Sequence, residues 1–198
     1  MDIESKKKYI NVIGNHIYFY GPVDDYTTPV AIRAINKLNN SIKKTKNLDD
    51  TYKIKNDDED SEGYSNQIIY FHINSYGGNL TDGMAIADTI RLSKIPVYTI
   101  VEGAAASIAS IILLAGKKRF MTRNSFILIH ELRTFFDNGT FSNISDEYNN
   151  CKLFMDMLKK IYSTQTKITK KELDELLKKD IWLKSDRCLK LGFVNKVL

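Results

Sequence analysis

Cysteine is scarce in this 198-residue chain, with only Cys151 and Cys188 present. The two lie far apart and form neither a metal-binding nor a redox spacing, so two reduced thiols are expected rather than a disulfide framework. Long apolar runs are also missing. The longest, residues 104–115, contains Ser107 and Ser110 and is too short to span a bilayer, so it reads as a buried helix. The opening MDIESKKKYI lacks the apolar core of a signal peptide, and a cytoplasmic protein without a membrane segment is expected. The net charge is only +5, and the basic residues are interleaved with acids, so no nucleic-acid stripe stands out. No glycine-rich loop ends in GKS or GKT. Neither a cofactor nor a metal is expected.

What is present is a globular composition, 43% apolar, of a length that suits one domain spanning residues 1–198. Residues 1–8 look frayed, and residues 16–20 read as a strand. Thr28 and Pro29 then fit the cap and first residue of a helix whose apolar face is Ala31, Ala34, Ile35 and Leu38. Residues 39–66, rich in Lys, Asn, Asp and Glu, read as a polar insertion. Apolar strands are expected at 68–73, 97–101 and 126–129, with helices at about 81–93 and 106–115. A long helix at about 145–164 would carry its apolar face on Tyr148, Cys151, Phe154, Met155, Leu158 and Ile161. Thr169 and Glu172 form a capping box, a short helix follows Ser185, and FVNKVL closes the chain as a strand. Strand and helix alternate, and all-parallel βαβ crossovers are the simplest arrangement, giving an α/β fold.

Three histidines make the search for a general base short. His16 lies far from any motif, and His72 lies inside a strand, where a structural role fits better. His130 stands where a strand ends, the place at which α/β folds put active sites. Ser107 follows Gly103 and a run of alanines into a helix start, where peptide N–H groups can stabilise an oxyanion. A serine hydroxyl needs a base to become a nucleophile, so His130 is its natural partner. On residues alone, Ser107 is equally a small packing residue, and Ser110 competes as nucleophile from deeper in the helix. Gly77 and Gly78 allow close backbone approach but also fit a plain turn, and Asp180 fits a solvated helix end.

Five segments carry a resemblance: INSYGG at 73–78, DGMAIADTI at 82–90, GAAASIAS at 103–110, NSFILIH at 124–130 and KKDIWLKSDRCLKLGFV at 178–194. In this order they resemble the ATP-dependent Clp protease proteolytic subunit (ClpP) family of serine peptidases. The resemblance implies a ClpP/crotonase-like spiral of βαβ units with a protruding handle helix, here the long helix near 145–164. It implies a catalytic triad of Ser107, His130 and Asp180, and an oxyanion hole from the N–H groups of Gly78 and Ile108. Around residues 137–142 it implies a strand that pairs with a polypeptide substrate, with Gly139, Thr140 and Phe141 in contact. Two stacked heptameric rings and an AAA+ unfoldase partner are further implications. The alternative is a catalytically weak or structural ring subunit of a mixed assembly.

Overall fold

A computed structural model of the chain describes residues 9–41 and 68–198; the expected frayed N-terminus and residues 42–66 of the polar stretch lie outside them. Among the described residues, seven strands and six helices follow in chain order: β1 (Ile10–Ile13), β2 (His16–Phe19), α1 (Thr27–Ser41), β3 (Ile69–Ser75), α2 (Leu80–Arg91), β4 (Val97–Ala106), α3 (Ile108–Leu114), β5 (Lys118–Met121), β6 (Phe126–Leu128), α4 (Phe141–Gln165), α5 (Lys170–Leu177), α6 (Ser185–Lys190) and β7 (Lys196–Val197). The sheet runs β1-β2-β3-β4-β5-β7, with β6 pairing to β4 off that path. The chain therefore adopts a mixed α/β fold with a parallel-rich sheet.

One edge departs from the all-parallel expectation. β1 pairs antiparallel with β2 across a two-residue turn, with Ile13 opposite His16. β1 is mostly exposed, so its sequence lacks the alternation that marks a half-buried strand. The start of α1 also differs. Thr28 is not the cap: the Asp24 carboxylate accepts from Tyr26 N and Thr27 N at 3.1 and 2.7 Å and starts the helix at Thr27. At its other end, residues 39–41 belong to the helix rather than to an insertion. Asn39 is buried there, because its Oδ1 accepts from Ser93 Oγ at 2.9 Å and Ile95 N at 3.2 Å.

β4 changes partner along its length. Tyr98–Val101 pairs with β5 and Ala104–Ala106 with β6. Gly103 lies between them at φ +92, and a Cβ there would come within 2.7 Å of Asn74 Oδ1, which already accepts from Ala104 N at 3.1 Å. Past this kink β4 keeps β3 on one side, with Ala105 opposite Ser75, but exchanges β5 for β6 on the other before the chain reaches Ser107.

The long helix also behaves unexpectedly. Its buried residues are Leu158 and Tyr162, whereas Tyr148 is exposed, because the N-terminal half of α4 projects beyond the body. None of the helices among the described residues is long and apolar enough to cross a membrane.

On the sheet face opposite the helices, His72 is buried and bonded through both ring nitrogens. Its Nδ1 lies 2.9 Å from Glu102 Oε1 and must donate, since a carboxylate only accepts. Its Nε2 shares a hydrogen bond with His16 Nδ1 at 2.8 Å. Tyr20 donates to the same carboxylate. Burial first, then His72, lowers the His16 pKa below its ordinary 6.5, and Glu102 opposes them. Folding therefore favours neutral His16, and the unfolded chain binds the extra proton. That stability is complete above pH 6.5 and is lost as pH falls from there toward the lowered folded value. The urea midpoint of the wild type should drop as pH falls below 6.5, and His16→Gln should flatten the drop. An unchanged slope in the variant would contradict this account.

Candidate active site

Ser107 is the only non-glycine residue with positive φ among those described, at φ 55 and ψ −130. Glycine tolerates that conformation, whereas an L-residue is strained there, at a cost of roughly 1–3 kcal/mol. The strain arises because β4 must become α3 within a single residue. Ser107 N donates to Leu128 O at 2.8 Å on the β6 side, and Ser107 O accepts from Ser110 N at 3.0 Å on the helix side. All seven residues of α3 are buried, so its packing holds the turn closed. The Ser107 side chain makes no capping bond. It faces a cavity of about 470 Å³, whose lining includes Gly78, Ile108, His130 and Leu158.

His130 follows β6, which pairs Ala106 with Leu128. Continuing that register puts Ser107 level with Ile129 and His130 one residue further along. The structure thus brings Ser107 and His130 to one cavity. His130 Nδ1 donates to Glu131 O at 2.5 Å. A carbonyl only accepts, so neutral His130 carries its proton on Nδ1 and keeps the Nε2 lone pair. That is the tautomer a general base requires.

Asp180 is not at His130 Nδ1. Its exposed carboxylate instead accepts from Arg133 Nη2 at 2.5 Å. The Arg133 guanidinium, three residues beyond His130, reaches the exposed carboxylate and holds it as an ion pair. Asp180 is nevertheless tied to the same strand. Leu177 O accepts from Glu131 N at 2.8 Å, and Leu183 pairs antiparallel with Ile127 through bonds of 3.1 and 2.7 Å. The arc 177–183 is therefore clamped at both ends along the segment that carries His130.

Gly77 packs against Ser107, and Gly78 against Val23. A Cβ on Gly77 would fall 2.7 Å from Ser107 Cβ, and one on Gly78 would fall 2.1 Å from Val23 O. Val23 N donates to Gly77 O and Val23 O accepts from Asn79 N, so the bridge uses the two neighbours of Gly78. In such a bridge the N–H of Gly78 points away from Val23, and this residue lines the cavity. Ile108 opens α3, where helix bonding leaves the N–H free.

Gly139, Thr140 and Phe141 do not lie on a strand. Thr140 caps α4: Thr140 Oγ1 accepts from Asn143 N at 3.3 Å, while Asn143 Oδ1 accepts from Thr140 N at 2.9 Å. This reciprocal cap starts the helix at Phe141, and Phe141 is 86% exposed.

Two further residues had no place in the sequence reading. Arg133 carries no positional signal. Tyr162 follows Leu158 at helical spacing on the inward stripe and meets Ser110 Oγ at 2.8 Å. Ser110 is fully buried, which removes it as a competing nucleophile for a substrate in the cavity. No cluster of three or more potential metal ligands occurs among the described residues.

Comparison with known proteins agrees with the fold. A family model described as Clp protease matches residues 60–198. An ATP-dependent Clp protease proteolytic subunit from Streptococcus mutans is 35% identical over 133 residues, 66% of this chain and 68% of the relative. Its counterpart, subunit 1, from Leifsonia xyli is 33% identical over 138 residues, 67% of this chain and 68% of the relative. Subunit 2 from Tropheryma whipplei is 34% identical over 134 residues, 65% and 72% of the two chains.

The strained turn yields a stability prediction. Ser107→Gly should raise the unfolding free energy above that of Ser107→Ala by about 1 kcal/mol, because glycine relieves the positive φ and alanine does not. Urea denaturation of the two variants checks it. A glycine variant less stable than the alanine variant would show that the turn stores no strain.

Proposed function

The chain belongs to the Clp protease family of serine peptidases, and on that premise we propose that it is an endopeptidase of unfolded proteins or peptides. Ser107 Oγ attacks the scissile carbonyl carbon while His130 Nε2 takes its proton. The N–H groups of Gly78 and Ile108 receive the developing oxyanion. Protonated His130 then gives its proton to the leaving amine, and an acyl-enzyme forms on Ser107. Water, deprotonated by the same imidazole, releases the second product. The observation that carries this reading is Ser107 held at φ 55 in a cavity that it shares with His130.

Asp180 is proposed as the residue that orients the base. The role requires Asp180 to leave Arg133 and replace the Glu131 carbonyl at His130 Nδ1. Clamping of the 177–183 arc beside the His130 segment supports a short exchange. Substrate contact by Gly139, Thr140 and Phe141 belongs to the proposal only with the first turn of α4 unwound.

Assembly extends the proposal. The relatives are named ATP-dependent proteolytic subunits, and this sequence has no GKS or GKT phosphate loop. ATP hydrolysis would therefore fall to a separate AAA+ unfoldase. α4 exposes Phe141, Ile144 and Tyr148 at helical spacing, an apolar face suited to a second subunit. Stacked heptameric rings in the cytoplasm are the proposed form. A purely structural subunit has no need of a strained serine, and nothing in the site favours that alternative.

Ser107→Ala should abolish peptide hydrolysis in a folded protein, and Asp180→Asn should lower kcat by up to about 10⁴. Arg133→Gln should raise kcat at low salt by up to about fivefold, since it releases an exposed pair worth no more than about 1 kcal/mol. Steady-state kinetics on a fluorogenic peptide, with and without added salt, read all three. Hydrolysis surviving Ser107→Ala would overturn the nucleophile. Loss of activity in Arg133→Gln as deep as in Asp180→Asn would overturn the exchange at Asp180.

A further inference from the structure

Behind the nucleophile lies a buried polar chain that no step above employs. Ser110 is fully buried and Tyr162 is 3% exposed. Ser110 Oγ lies 2.7 Å from Ser107 O and 2.8 Å from Tyr162 Oη. The donors can be assigned by counting hydrogens. A carbonyl only accepts, so Ser110 gives its single hydroxyl hydrogen to Ser107 O, and Tyr162 must donate to Ser110 Oγ. Burial pushes the Tyr162 phenol up to about 12, so it stays a donor across any assay range. The chain runs one way: Tyr162 O–H to Ser110 Oγ, Ser110 O–H to Ser107 C=O. Ser110 N–H gives the same carbonyl a second bond at 3.0 Å.

That carbonyl belongs to the peptide unit whose other end is the Ile108 N–H, one of the two oxyanion donors assigned above. The unit's orientation is set by the strained ψ −130 of Ser107. A rotation of this peptide would relieve the turn and turn the N–H away from the cavity. Two bonds on the carbonyl oppose the rotation, and a carbonyl already accepting bonds also makes its own N–H a stronger donor.

We propose that Ser110 and Tyr162 are positioning residues that lock the Ser107–Ile108 peptide with its N–H aimed at the oxyanion, so that the base of helix α4 reaches the catalytic turn through two hydroxyls. The proposal rests on Ser107 as nucleophile and Ile108 N–H as oxyanion donor. It assigns the pair no contact with substrate.

The test compares wild type, Tyr162→Phe, Ser110→Ala and the double variant, each measured for kcat, KM, rate of fluorophosphonate labelling and thermal midpoint. Ser110→Ala alone strands a buried phenol and should be the least stable. The double variant removes both partners and should recover most of that stability. Its kcat should nevertheless stay about tenfold below wild type with KM little changed, less than the loss on deleting an oxyanion donor outright. With Ser110→Ala in place, Tyr162→Phe should cost no further kcat, because its influence passes through Ser110. Tyr162→Phe alone, which keeps every carbon of the side chain, should lower kcat and labelling rate in the same direction.

A double variant whose kcat returns to wild type along with its midpoint would overturn the proposal, since the pair would then serve packing alone. A wild type that neither labels nor hydrolyses peptide would instead overturn the parent reading, and this inference with it.

Discussion

The peptide between Ser107 and Ile108 is held in a conformation that L-residues avoid, and much of the architecture exists to hold it there. A fully buried apolar helix, α3, begins immediately after it. β6 takes the Ser107 N–H through Leu128 O, and Ser110 takes the carbonyl through two bonds. Gly77 fits against Ser107 only because it has no Cβ. Remove any one of these and a rotation about Ser107 becomes the easier state. Strain of this kind is stable only where the surroundings over-determine it.

The kink at Gly103 is the second determinant. Without it β4 would continue along β5 and end far from β6. With it, the alanine run pairs with β6, and the ends of β4 and β6 bring Ser107 and His130 to one cavity. Electrostatics at the site are less settled than its backbone. Asp180 and His130 are carried on segments clamped side by side, yet each has another partner, Arg133 and the Glu131 carbonyl. Both bonds lie near the surface, where an ion pair is weak and screened by salt.

The strand end at His130 was legible in the sequence because buried parallel strands are continuous apolar runs, and such folds use those ends; at Ser107 only a helix start was, since the strand expected at 97–101 runs on through the small residues to Ala106 and the helix begins at Ile108 rather than at 106. The glycine pair stood out only as a turn between strand and helix. The antiparallel β1 was not, since an exposed edge strand has no apolar periodicity. The helix start at Phe141 was hidden by a reciprocal Thr140–Asn143 cap that lacks the acidic or amide residue usually sought at the third position of such a box with a longer side chain. Arg133 could not be foreseen, because its partner lies 47 residues away and only folding brings them together. Tyr162 left a faint mark, a phenol on the inward stripe of a helix, which implies a buried partner without naming it.

The proposed chemistry depends above all on Ser107 standing in a built oxyanion site beside His130. A crystal structure of the fluorophosphonate adduct tests it most directly. The phosphorus should be bonded to Ser107 Oγ, one phosphonyl oxygen should accept from the N–H groups of Gly78 and Ile108, and the His130 imidazole should lie against the adduct. A phosphonyl oxygen turned away from both N–H groups, or a label on any other residue, would contradict it.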